Sequence, residues 1–122
     1  METWELEFEW LRVQHVVKTS LAQDKLPDLQ SILFLIGIQE LGQVRRDFTK
    51  EEKQDLMHIA VCTLMSVKGY YEFVGRDEDG WPHFKQLKVL PTEGVEAQEE
   101  LLKIQVVDYF KNLETENGGF DV

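Results

Sequence analysis

The stretch FTKEEKQDLMHIAVCTLMSVKG (residues 48–69), followed at once by YYEFVGRDEDGWPHFKQL (residues 70–87), decides the fold. Thr49 with Glu52 three positions later matches a capping box, in which each residue's side chain satisfies the other's free backbone N–H. A helix is therefore predicted from Thr49 to about Lys68, with Gly69 as its stop. Tyr70 to Val74 is aromatic and suited to a strand, Arg76 to Gly80 reads as a turn, and Trp81 to Leu87 can return as a second strand. Two strands alone are marginal in water, so this hairpin, about 70–87, must rest on helices.

Working outward, Pro27 suits the first turn of a helix that continues through Leu41, with Gly42 near its end. Its middle is apolar nearly all round, which marks it as buried, and Gly37 lets a neighbouring backbone come close. The first helix, about Thr3 to Leu21, carries two apolar faces. Trp4, Phe8, Leu11 and His15 form one; Leu6, Trp10, Val13, Val17 and Leu21 form the other. A peripheral helix needs only one such stripe, so the second is expected to meet the hairpin or another subunit. A fourth helix is predicted from near Thr92 to about Glu114, with Val95, Leu102, Val106, Tyr109 and Leu113 on one stripe, and residues 115–122 read as a loose tail. Short connections favour antiparallel neighbours. The expectation is thus one mainly α domain over 1–122, a four-helix bundle with a β-hairpin inserted between helices 3 and 4.

Composition narrows the function classes. The 122 residues carry 23 Asp and Glu against 13 Lys and Arg, a net charge of −10, and no basic cluster exceeds Arg45-Arg46, so nucleic-acid binding is disfavoured. One cysteine, Cys62, cannot form an internal disulfide and suits a reduced cytoplasmic setting. The acidic opening Met1 to Glu7 lacks the features of an export signal, and the longest apolar run, Ile32 to Ile38, is far shorter than the roughly 20 residues that span a bilayer. No phosphate-binding glycine loop, Cys-x-x-Cys pair or serine nucleophile elbow occurs, and no cofactor is expected.

Some residues still invite a chemical reading. Glu40 falls among Leu29, Leu33, Ile36 and Gly37 on the helical wheel, where a carboxylate is costly unless paired; it is a metal ligand or general base, or else a structural carboxylate. Glu51, Asp55, His58 and Cys62 make a single helix stripe, and Asp55 with His58 has the carboxylate-x-x-His spacing of di-iron bundles. The second such motif is missing, so the metal reading reduces to a mononuclear set from His15, Glu40 and His58, with Asp55. The plainer alternative is a solvated helix face. Cys62 with His58 lacks an oxyanion donor and a third orienting group, which favours a buried, inert thiol. Asp77-Glu78-Asp79-Gly80 resembles the start of a calcium loop but continues into Trp81-Pro82, as an ordinary acidic turn would. On the hairpin, Tyr71, Phe73, Trp81, His83 and Phe84 could receive a protein partner or a flat ligand, or be consumed within the subunit.

The phrases Phe34 to Gly42, Phe48 to Ala60 and Gly75 to His83 look similar to a family of short, uncharacterised bacterial proteins. The resemblance covers most of the chain; it implies a bacterial cytoplasmic setting and supplies neither mechanism nor site residues. The leading expectation is a non-enzymatic acidic protein acting by self-association, as a homodimer joined through Leu6, Trp10, Val13 and Val17, or by protein–protein interaction. The alternative is a small-molecule- or metal-binding helical bundle centred on Glu40 with His15 and His58.

Overall fold

A computed structural model describes residues 2–45, 47–90 and 94–117, with side chains through residue 115. It is mainly α, in the predicted order: α1 (Thr3–Ser20), α2 (Leu29–Leu41), α3 (Lys50–Ser66), a hairpin of β1 (Tyr71–Arg76) and β2 (Pro82–Gln86), and α4 (Val95–Asn117). No described helix is long and apolar enough to cross a membrane. The chain divides into two compact units, one from residues 1–32 with 92–122 and the other from residues 33–91.

In the first unit, α1 packs on α4. The face of α1 expected to join two subunits, Leu6, Trp10, Val13 and Val17, is instead buried within the chain itself. The Lys103 ammonium of α4 lies 5.4 Å from the centre of the Trp10 ring. Arg12 bridges the two helices from the edge, bonding Glu9 at 3.0 Å and Glu114 at 2.8 Å. Among the described side chains of α4 the buried ones are Gln105, Val106, Val107 and Phe110, a broader arc than the predicted stripe, and Val95 is exposed. That breadth carries the polar Gln105 inside. α2 starts two residues after Pro27 because Asp28, whose carboxylate accepts the Ser31 N–H at 2.8 Å, is its cap. Residues 115–117, expected in the tail, instead continue α4, while the predicted start of α4 at Thr92 and tail residues 118–122 lie outside the described residues.

In the second unit, the α3 capping box forms as read. Thr49 Oγ1 accepts the Glu52 N–H at 3.1 Å, and the Glu52 carboxylate accepts the Thr49 N–H at 2.9 Å. Gly37 of α2 faces the backbone of Leu56, so close that a Cβ would overlap the Leu56 carbonyl. This close approach is what that glycine is for. Leu41, Leu56 and Ile59 form a core on which Phe34, Ile38, Phe48, Trp81 and Phe84 pack, so the hairpin is held by its aromatic side. The strands pair antiparallel, Tyr71 with Gln86 and Phe73 with Phe84. The register then slips at Val74, where Gly75 at φ +132° takes a conformation open to glycine.

Candidate functional site

Among the described residues, two surfaces are candidates for a functional site, one in each unit. In the second unit a cleft of about 330 Å³ opens between α3 and the hairpin. Asp55, His58 and Cys62 reach it from α3, as the i, i+3, i+7 spacing requires, and Trp81, His83 and Phe84 reach it from β2 and the residue before it.

The polar groups in the cleft make distinct contacts. Asp77 caps the hairpin turn: its Oδ1 accepts the N–H of Asp79 at 2.9 Å and of Trp81 at 3.0 Å, and its Oδ2 meets His83 Nε2 at 2.9 Å. The His83 bond, then the Trp81 N–H, holds the Asp77 carboxyl below the usual range, so it is ionised and His83 Nε2 donates. The acidic turn is therefore an Asx turn closed by its own backbone. Cys62 Sγ lies 3.5 Å from His58 Nε2, the pair that nucleophilic chemistry would require. Burial pushes the thiol up to about 11, however, so at neutral pH it stays protonated and can donate to the ring nitrogen. This geometry makes Cys62 a buried, unactivated thiol. Asp55 is exposed and makes no hydrogen bond or ion pair among the described residues.

Beside the cleft, the turn is fastened to the end of α2 by a residue that sequence reasoning passed over. The Arg76 guanidinium donates to the carbonyls of Glu40 (2.8 Å), Leu41 (3.1 Å) and Gly80 (2.8 Å). A cation there meets the unpaired carbonyls at the negative end of a helix. Only the pairing of a lone turn arginine with a helix end could have announced it. Glu40 itself is half-buried and interacts with the rest of the chain.

The metal reading is corrected by the geometry. Among the described residues no group of three His, Cys, Asp or Glu side chains can hold an ion. Among the described residues the carboxylate-x-x-His pair of Asp55 and His58 gathers no third ligand. Of the hairpin residues, Phe73 is exposed and stacks edge-on against Phe84 at 5.7 Å, Tyr71 is half-buried against His58, and Trp81 is half-buried on the core.

The second surface is α1's other face. Trp4, Phe8 and Leu11 are 69%, 63% and 45% exposed, and His15 beside them is exposed too. Phe8, Leu11, His15 and Val16, with Arg12, Thr19 and Ser20, make an open, mostly apolar surface along this helix. Searches against protein-family models, curated proteins and solved structures find no match to the chain.

Proposed function

We propose that this protein works by self-association, as a symmetric homodimer in which the exposed stripe of α1 lies antiparallel against its copy, in a bacterial cytoplasmic setting. The observation that carries the reading is the stripe itself: two large aromatic rings and Leu11 stand in water on one helix face while the opposite face already fills the core. At 150–250 Å² per ring, Trp4 and Phe8 alone leave on the order of 250 Å² of aromatic surface exposed on each copy. A patch of that kind, rimmed by polar residues, is characteristic of an interface.

The charge pattern of α1 itself admits a second copy at this face. α1 carries Glu5, Glu7 and Glu9 toward its start and Arg12 and Lys18 toward its end, so it holds only one of the chain's ten net negative charges. Glu7 and Lys18 make no ion pair among the described residues and lie on the same flank of the stripe, roughly 20° apart on the wheel. An antiparallel partner helix brings like flanks together, which sets each copy's Glu7 beside the other's Lys18. A parallel pairing does not. An isologous contact of this sort closes at two subunits.

The test is sedimentation of the full chain at several concentrations. A dimer is expected, and Phe8→Asp with Leu11→Asp yields a monomer with an unchanged far-UV spectrum. Glu7→Lys weakens the dimer and Lys18→Glu in the same chain restores it. A wild-type protein that stays monomeric at about 100 μM, or a dimer indifferent to Phe8→Asp with Leu11→Asp, rejects the reading.

A further inference from the structure

The cleft between α3 and the hairpin is independent of the α1 stripe and has a chemistry of its own. Its apolar wall is made by Ile59, Trp81, Pro82 and Phe84. Its polar groups are not equivalent. Asp77 has three donors already, and His58 shares a contact with the protonated Cys62. Asp55 alone presents a carboxylate with no partner among the described residues, and no lysine or arginine lines the cleft.

We propose that this cleft binds a small organic cation with a flat apolar body, the ammonium group meeting Asp55 and the body lying against Trp81 and Phe84. Three observations select that class. An anion would find two carboxylates, no lysine or arginine and a chain of net charge −10. A metal ion would find no set of three ligands among the described residues. A flat-bodied amine finds both a carboxylate with no partner among the described residues and the Trp81 and Phe84 rings to lie against. Size agrees: about 330 Å³ is at the small end of the range of ligand pockets, room for a single-ring molecule.

The experiment titrates phenethylamine into the ¹⁵N-labelled full chain and follows the Trp81 indole N–H, assigned with a Trp81→Phe sample, together with the backbone signals of His83 and Phe84. Saturable shifts at these positions are expected, phenylacetate should give none, and Asp55→Asn should weaken binding about fivefold or more. Asp55 is exposed, so this variant keeps the fold, which the unchanged signals of Leu33 to Leu41 and of β1, in the same unit, verify. Phenylacetate binding as well as the amine overturns the proposal, as does an Asp55→Asn protein that binds undiminished or the absence of saturable shifts to about 10 mM. Zinc ion shifting the His58 and His83 signals where phenethylamine does not also overturns it, in favour of a metal.

Discussion

Gly37 and Ala22 show how much a single Cβ decides. At Gly37 a Cβ would fall on the Leu56 carbonyl, which belongs to the backbone of α3 and cannot turn aside. Gly37→Ala is therefore expected to cost about 2–3 kcal/mol or more in urea denaturation, well beyond any gain in helix propensity. Ala22, just past the end of α1, has the opposite problem. It sits at φ +51°, the left-handed region that costs an L-residue about 1 kcal/mol and glycine almost nothing. Ala22→Gly should raise stability by about 0.5–1 kcal/mol in the same measurement. Gly37 was legible in the sequence, as a glycine costs helix propensity inside an apolar run unless a neighbour needs the space. Ala22 was not, because nothing in its identity announces a positive φ.

At the level of an element, α3 is held at its start by a device that titrates. The Glu52 carboxylate accepts from Arg45 Nη1 and Nη2, at 2.8 and 3.0 Å, and from the Thr49 N–H. Arg45 first, then that N–H, holds Glu52 down to about 2, against 4.5 for an ordinary glutamate. A carboxyl depressed on folding adds stability that is complete above the unfolded value and is lost as pH falls through the folded one. The window for Glu52 is thus from about pH 4.5 down to about pH 2. Comparing Glu52→Gln with the parent by chemical denaturation at pH 6 and at pH 2.5 should show a clear deficit at pH 6 that narrows in acid. The capping box was readable because its residues are three apart in the chain. Arg45 was not, since its partner lies seven residues away across an irregular connector. α4 teaches the same lesson: its predicted stripe found Val106, but the true buried arc is wide enough to take in Val107, Phe110 and Gln105, a width set by what packs around the helix.

For the whole molecule the net charge of −10 sets the terms of association. Two copies repel over any distance shorter than the Debye length, about 10 Å at 0.1 M salt and about 30 Å at 0.01 M. The exposed ion pairs proposed between Glu7 and Lys18 are each worth at most about 1 kcal/mol, too little to offset repulsion between two such chains in dilute buffer. Sedimentation equilibrium should therefore show the dimer tightening as sodium chloride rises from about 0.01 M to 0.2 M. Weakening over that range would mean that local charge pairs, and not the apolar stripe, dominate the contact.

Local patterns were enough to determine the order of elements, the α3 cap, the hairpin and its acidic turn, and the inert thiol, because each depends on residues within a few positions of one another. The two apolar faces of α1 were equally plain. Which face turns inward was not, since on the wheel both stripes satisfy the same periodicity and only the position of α4 distinguishes them. Tertiary structure alone placed Leu6, Trp10, Val13 and Val17 in the core and left Trp4, Phe8 and Leu11 outside. It likewise brought Asp55 of α3 to the same cleft as Trp81 and Phe84, residues more than twenty positions away, and tied Arg76 to the end of α2. Contacts between distant segments depend on how whole helices and strands pack, and no periodicity within a single element encodes that.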